Sequence, residues 1–253
     1  MKPYIKYQYE NGLFYHTIIT ILYHITFLFG IIYYGFSLTA ISIILLAYFL
    51  SLLSEEIALH RYYTHNSFET NKEYLIFLLS VVCSFGPPIW FVGTHKLHHK
   101  YSDTEKDPHS PRFKSPISVW LSYWDHYKIP FSLIKPLCKD RKQILLMRYY
   151  IPLWISLWFI SLFLFPFFTC FFCGGLTVVY HLVMAVNVIS HINDENKTYP
   201  EAHGSNNKLL VLLTFGAANH NIHHKYPGRY IQNPNGEFDL VGLIIKYMFA
   251  KTA

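Results

Sequence analysis

The sequence predicts an all-α membrane protein in which four transmembrane helices carry a histidine-rich, metal-binding cap on their cytosolic side. Of the 253 residues, 52% are hydrophobic and 14% are charged, whereas about one quarter of the residues of a soluble domain are charged. Apolar stretches long enough to cross a bilayer occur in two pairs, and three clusters of histidine lie outside those pairs. We expect residues 1–253 to form a single domain.

The two pairs of apolar stretches are predicted to form two membrane hairpins. Helices of about 17 to 20 residues cover most or all of a ~30 Å hydrocarbon core, at about 1.5 Å per residue. The first hairpin turns near Gly35, and the connection of the second is predicted around Cys173 to Gly175. The predicted spans are residues 17–36, 37–53, 149–168 and 170–188.

Positive charge predicts the orientation of these spans. Of the 21 Lys and Arg, 2 precede the first span, 13 lie between the second and third, and 6 follow the fourth. Basic residues are retained on the cytosolic side of a membrane. We therefore expect both termini and the long central segment in the cytosol. The membrane would be the endoplasmic reticulum in a eukaryote or the inner membrane in a bacterium.

A fifth apolar run, residues 74–92, is also long enough to span by hydropathy alone. If it did, the first two histidine clusters would lie on opposite sides of the membrane. Gly86, Pro87 and Pro88 interrupt its last turns. We therefore expect this run to lie in, or dip into, the membrane interface.

Three histidine motifs predict a metal site at the cytosolic end of the bundle. The first motif is His60 and His65, the second is His95, His98 and His99, and the third is His220, His223 and His224. In the second and third motifs, the i, i+3, i+4 spacing places three imidazoles on one helix face. Eight neutral nitrogen donors are too many for one tetrahedral zinc and suit two transition-metal ions with open coordination positions.

Further residues are expected to support this site. His191 follows the fourth span on the same side, and Asn187 lies four residues earlier on the same helix face. Ring N–H groups of metal-bound histidines need acceptors, for which Asp103, Asp107 and Asp125 are candidates. Such a site suits activation of O₂ against an unreactive C–H bond of a lipid chain.

These motifs resemble those of the membrane acyl-CoA (stearoyl-CoA type, delta-9-like) fatty acid desaturases. The resemblance runs from about residue 40 to residue 230. It includes Trp90, the stretch Ser-Asp-Thr-Glu-Lys-Asp-Pro-His-Ser-Pro from Ser102, and Asn187-x3-His191. It implies an oxidoreductase that uses O₂ and two electrons to insert a cis double bond into a fatty acyl chain, with acyl-CoA as the expected substrate.

The resemblance also implies a ligand set and partners. Two iron ions would be bound by nine histidines, and Asn187 would hold one iron through a water molecule. The nine are His60, His65, His95, His98, His99, His191, His220, His223 and His224. A separate electron donor is expected, such as cytochrome b5 or a ferredoxin with its reductase. The membrane lipid is a further expected partner, and no nucleic acid is expected to bind.

Two departures and two alternatives remain open at this point. Glu55 and Glu56 precede the first motif where the family usually has small residues, and Gly216 is followed by Ala217 where the family usually has Glu. A lipid hydroxylase or other oxygenase of the same superfamily would have similar ligands. A non-catalytic membrane metal-binding protein is a different class, but transporters place their ligands near the bilayer midplane.

Tyr48 is the candidate for the end of a substrate tunnel. It lies twelve residues before His60, which is about 18 Å along a continuous helix. Positions 48, 52, 56 and 60 would share the helix face that looks toward the metals. The alternative for Tyr48 is a packing or lipid-facing tyrosine. The other histidines are expected to be packed or interfacial, namely His16, His24, His126, His181 and His203, with His109 in a structural or substrate-facing role.

Overall fold

The computed structural model describes residues 12–121, 129–192 and 195–251, and within these ranges it contains helices and no strands. The long helices are α1 (Gly12–Tyr34), α2 (Leu38–Leu53, continued by a π-helix over Ser54–Thr64), α7 (Arg141–Leu164) and α8 (Pro166–Ile192). The short helices are α3 (Glu73–Val82), α4 (Pro88–Tyr101), α5 (Pro116–Trp120), α6 (Phe131–Ile134), α9 (Lys208–Leu213), α10 (His220–Lys225) and α11 (Leu240–Ile244, continued by a π-helix over Ile245–Phe249).

Four helices of the described chain are long and apolar enough to cross a membrane. They cover Thr17–Tyr34, Leu38–Thr64, Arg141–Leu164 and Pro166–Ile192. The predicted fold class, an all-α membrane protein with four spans, is confirmed. The helix α8 is central, because it packs against both α1 and α2.

The predicted boundary between the third and fourth spans is wrong. The structure places it at Phe165, between the end of α7 at Leu164 and the start of α8 at Pro166. Proline suits the first turn of a helix, where its missing N–H would have no intrahelical partner. The stretch Cys173–Gly175 therefore lies inside α8 and does not form the connection.

The glycines of α8 serve close packing of the spans. A Cβ built on Gly174 would lie 2.6 Å from the Phe27 ring of α1. A Cβ on Gly175 would lie 2.5 Å from the Cβ of Ala47 in α2. Small residues at such positions let membrane helices approach closely. The two glycines that suggested a turn in the sequence therefore lie where α8 crosses α1 and α2.

The second span is longer than predicted, because the helix continues from α2 through the π-helix to Thr64 instead of ending at residue 53. This extension is sheltered by protein. Its residues Ile57 and Ala58 are 1% and 0% exposed and form a core cluster with Ile76 of α3 and Val241 of α11. Burial against these helices allows a polar segment to prolong a membrane helix.

The run 74–92 does not form one spanning helix. Its first part is α3, whose ten residues reach only about 15 Å. Gly86, with a φ of +94°, then turns the chain into α4, which starts at Pro88. This break agrees with the predicted non-spanning arrangement, and it leaves the first and second histidine motifs at the same end of the bundle.

Candidate metal centre

The first motif lies on the π-helix, and this explains its spacing. In an α-helix, residues five apart point about 140° away from each other. A π-helix closes i→i+5 hydrogen bonds, and its wider turn brings residues five apart onto the same side of the helix. The His65 N–H donates to the His60 carbonyl at 3.2 Å, and the two imidazole centroids are 5.0 Å apart. The local π-helix therefore brings both histidines to one face.

All nine predicted histidines come together in two adjoining groups. The side-chain nitrogens of each group of four lie within 4.8 Å of one another. The first group is His60, His65, His95 and His223, and the second group is His98, His191, His220 and His224. His99 extends the first group, since its Nε2 lies 3.1 Å from Nε2 of His95 and 2.8 Å from Nε2 of His223.

The second and third motifs each contribute to both groups. Helix α4 directs His95 and His99 into the first group and His98 into the second. Helix α10 does the reverse, with His223 in the first group and His220 and His224 in the second. The i, i+3, i+4 spacing thus supplies two neighbouring ion positions from one helix face.

Carboxylates orient three of the imidazoles. Nδ1 of His60 donates to Glu56 at 3.1 Å, Nδ1 of His98 donates to Asp107 at 2.9 Å, and Nδ1 of His191 donates to Asp103 at 3.1 Å. A neutral imidazole has a single N–H, so this arrangement leaves Nε2 of each ring as a lone pair. Carboxylate–histidine pairs of this kind are typical of metal ligands.

The Nε2 atoms then face one another in a way that fits cations. Nε2 of His60 lies 3.1 Å from Nε2 of His223, and Nε2 of His191 lies 2.7 Å from Nε2 of His220. In addition, Nε2 of His65 is buried and has no hydrogen-bond partner among the described residues. Converging lone pairs repel one another unless a cation lies between them. The donor set therefore fits two transition-metal ions.

The conformation of the loop after α4 places Asp103 and Asp107 beside their histidines. Asp103 has a φ of +56°, which a short polar residue tolerates, and its N–H donates to Asp107 at 3.0 Å. Arg112 donates to the carbonyl of His191 at 2.7 Å and lies 3.8 Å from Asp103. The predicted roles of Asp103 and Asp107 as acceptors agree with these contacts, whereas Asp125 lies outside the described residues.

Burial keeps the imidazoles neutral. Burial first, and then the charge of neighbouring imidazoles, lowers the pKa of His95, His98, His220, His223 and His224 well below the usual value. The same causes lower the pKa of His99 to about 3. Burial raises the pKa of Asp103, but the hydrogen bond and charge of His191 outweigh it, and the net shift is downward. Neutral imidazole is the form that binds metal.

A cavity opens beside both histidine groups. His60 and His95 line it from the first group, and His220 lines it from the second. Asn187 lies on the same wall, one helical turn before His191. The remaining wall includes the apolar side chains Leu52, Phe85, Trp90, Phe91, Val183 and Met184. An apolar chain in this cavity would lie directly against the metal positions.

Tyr48 is placed one turn deeper on α2 than Leu52, which lines the cavity. Its hydroxyl donates to the backbone carbonyl of Leu213, and its ring lies 5.5 Å from that of Phe215. Leu52, Glu56 and His60 share the cavity-facing side as predicted. The role of Tyr48 as a tunnel end stays a prediction.

The histidines outside the motifs have other partners. His24 and His181 form a hydrogen-bonded pair within the spans, with Nε2 atoms 3.2 Å apart, and Trp120 donates to His181 at 3.0 Å. These contacts agree with the predicted packed role. His109 stacks on His98 with ring centroids 4.3 Å apart, and exposed His203 contacts Asp103 at 3.2 Å. The side chain of His16 and all of His126 lie outside the described residues.

Sequence reasoning missed three residues behind the first group. Glu56 appeared only as a departure from a pattern, although its i, i+4 spacing to His60 could have suggested the hydrogen bond. Gln232 lies 2.9 Å from Nδ1 of His223. Asp239 pairs with Arg61 at 3.1 Å. Neither position carried a recognisable signal, because both follow the third motif in an irregular segment.

The fold and the site together define a membrane protein built to hold metal ions against an apolar cavity. Comparison with known proteins makes this class more specific. The pattern of the family described as fatty acid desaturase matches residues 35–233. The chain belongs to the fatty acid desaturase family, and it is an oxidoreductase that acts on fatty acyl chains.

Several relatives carry more specific names. An sn-1 stearoyl-lipid 9-desaturase of Anabaena variabilis is 34% identical over 215 residues, which cover 80% of this chain and 78% of that protein. A probable acyl-CoA desaturase of Schizosaccharomyces pombe is 25% identical over 81% of this chain and 43% of its own length. A hex-5-enoyl-[acyl-carrier protein] acetylenase of Moorena producens is 26% identical over 77% of this chain and 68% of its own length.

Proposed function

We propose that the chain uses two iron ions, O₂ and two electrons to insert a cis double bond into a fatty acyl chain. The observation that carries this proposal is the convergence of nine histidines into two adjoining groups beside an apolar cavity. Imidazole binds iron well and leaves coordination positions open. Bound iron would supply the activation of O₂ that the removal of two hydrogen atoms from adjacent methylenes requires. With two electrons and two protons, the products are the alkene and two water molecules.

The side chains around the cavity and beside the histidines would position the acyl chain and the metal ligands. The apolar wall around Leu52, Phe85 and Met184 would bind the methylenes and exclude water from the metal positions. Asp103 and Asp107 fix the tautomer and orientation of His191 and His98. These contacts hold the ligands in place, so that the position of the double bond depends on how far the acyl chain enters the cavity.

Asn187 is proposed to complete the second group through a water molecule. It lies on α8 one turn before His191 and lines the cavity beside His220. An amide side chain can orient a water by donating or accepting a hydrogen bond. The second group has four histidines and the first has five, so an additional ligand would make the two positions more alike.

The acyl carrier, the electron donor and the orientation complete the proposal. We propose acyl-CoA as the substrate, cytochrome b5 or a ferredoxin as the donor, and a cytosolic location for both termini and the metal centre. The basic residues between the second and third spans support this arrangement, since they favour the cytosolic side and attract anionic groups. The relatives are named for both acyl-lipid and acyl-CoA substrates, so the carrier needs a direct test.

Expression in a desaturase-deficient host tests the reaction. We expect unsaturated fatty acids from the unsubstituted chain and none from His65→Ala or His224→Ala, which remove one ligand from each group. An added hydroxyl in place of an alkene would assign the chain to an oxygenase instead. Purified protein containing about one tightly bound iron per chain would contradict the two-iron site. Assays with stearoyl-CoA and with a stearoyl-containing glycerolipid would identify the carrier.

A further inference from the structure

Behind the first histidine group, two buried carboxylates share one buried guanidinium. Arg61 is 0% exposed, and it pairs with Asp239 through Nη2–Oδ1 at 3.1 Å and Nη1–Oδ2 at 3.2 Å. Nε of Arg61 donates to Glu56 at 3.3 Å. When all three side chains are ionised, the trio carries one more negative than positive charge. A buried excess charge is costly unless a counter-charge lies close by.

Both ends of this trio reach ligands of the same group. Glu56 accepts a hydrogen bond from Nδ1 of His60, with both carboxylate oxygens at 3.1 Å. At the other end, Asp239 accepts from the backbone N–H of Gln232 at 2.7 Å. The Gln232 side-chain amide in turn lies 2.9 Å from Nδ1 of His223. With its oxygen, otherwise unpartnered among the described residues, turned to the ring, the amide accepts the Nδ1–H and leaves Nε2 as a lone pair. The network therefore connects a ligand of the first motif with a ligand of the third motif.

The backbone around Asp239 is shaped to hold its carboxylate. Gly242 donates its N–H to Oδ1 at 2.8 Å, and a Cβ at this position would lie 2.4 Å from Oδ2. Gly216 has a φ of +99°, and a Cβ there would lie 2.4 Å from the Asp239 Cα. Glycine alone fits these two positions without displacement. The backbone at Gly216 and Gly242 therefore fixes the position of the Asp239 carboxylate.

We propose that Glu56, Arg61 and Asp239 are positioning residues that raise the affinity of the first histidine group for its metal ion. This inference rests on the proposed two-metal centre. A carboxylate acceptor makes the imidazole of His60 a better donor and fixes its orientation. The excess negative charge of the trio offsets part of the charge of a bound dication. Glu56 performs this role at a position that departs from the small residues usual in the family.

The second group is supported in a different way. Asp107 and Asp103 contact His98 and His191 directly at 2.9 and 3.1 Å. The contacts of Arg61 run instead to Glu56, Asp239 and the carbonyl of Tyr230. A change at Glu56 should therefore weaken the first group selectively.

Two variants, each with a ligand removed from one histidine group, make it possible to measure this selectivity. His224→Ala removes a ligand from the second group, and His65→Ala removes one from the first. Each purified, metal-stripped protein is titrated with Co²⁺, and binding is followed by visible absorption and calorimetry. In the His224→Ala background, we expect Glu56→Gln to weaken Co²⁺ binding by about 10- to 100-fold. In the His65→Ala background, the same substitution should leave the affinity unchanged.

Asp107→Asn is the matched control, and it should show the opposite pattern in the two backgrounds. Gln232→Ala is a second variant for the first group that leaves the three buried charges in place, and it should also weaken binding in the His224→Ala background only. Unchanged affinity for Glu56→Gln and Gln232→Ala, or equal loss in both backgrounds, would overturn the inference. If the unsubstituted chain binds fewer than two Co²⁺ ions, the proposed metal centre itself fails.

Discussion

The metal-free protein should be sensitive to mild acid. Three of the histidines, His98, His220 and His223, are at most 5% exposed, and burial lowers the pKa of each well below the usual value. In the unfolded chain, these imidazoles take up protons below about pH 6.5. The unfolded state then binds more protons than the folded state, so the free energy of unfolding decreases as the pH falls.

The size of this effect follows from the number of buried imidazoles. At pH 5.5, each imidazole that stays neutral in the folded state lowers stability by about 1.4 kcal/mol. Three such groups give about 4 kcal/mol, a large share of a typical 5–15 kcal/mol. Bound metal raises the stability at every pH by mass action, but it does not remove this pH dependence, because the metal-bound imidazoles also stay neutral in the folded state.

Thermal melting in detergent tests this reasoning. Tryptophan fluorescence would be followed at pH 7.5, 6.5 and 5.5 for the metal-loaded and the chelator-treated protein. We expect the melting temperature of the chelated protein to fall steeply between pH 6.5 and pH 5.5, and that of the loaded protein to be higher at each pH. A chelated protein whose melting temperature stays constant over this range would refute the link between imidazole burial and stability.

Four substitutions test other parts of the structure. His191→Ala should abolish desaturation in a deficient host, because this 0% exposed side chain belongs to the second group. His203→Ala should leave most activity, because the side chain is 54% exposed, and equal loss from both would show that the ligand set is misplaced. Tyr48→Ala should shift preference to chains several carbons longer without moving the double bond from the carboxyl end, and an unchanged fatty acid profile at normal expression would exclude Tyr48 as the tunnel end. Gly175→Ala should destabilise the protein by about 1–3 kcal/mol, because its Cβ would lie 2.5 Å from that of Ala47, and an unchanged melting temperature would contradict the close crossing of α8 and α2.

The sequence alone was sufficient for the number of spans and for the histidines that come together. Hydropathy and charge report the preference of each segment for the bilayer, and the motif spacings report helix faces. Helix boundaries were less predictable, because glycine has two uses. Gly35 marks a real turn with a φ of +68°, whereas Gly174 and Gly175 lie at a helix crossing. Composition does not distinguish a turn from a close approach.

The support of the first group could not be predicted for a different reason. Its acceptors come from residues far apart in sequence, with Arg61 and Asp239 separated by 178 positions. The π-helix that aligns His60 with His65 was also absent from the prediction, since α-helical periodicity was assumed through residue 60. The interactions that orient ligands depend on tertiary contacts, and a single sequence does not display these contacts.

The division of α10 between the two groups has a consequence for biosynthesis. His98 and His224 belong to one group although 126 positions separate them, and His223 serves the other group. A nascent chain that has inserted all four spans therefore still lacks ligands for both ion positions. Both metal positions become complete only after the ribosome has synthesised the last histidine motif. Metal delivery to the proposed centre would thus be a late, post-insertion step, and premature termination before residue 220 would yield a membrane-inserted product with neither ion position complete.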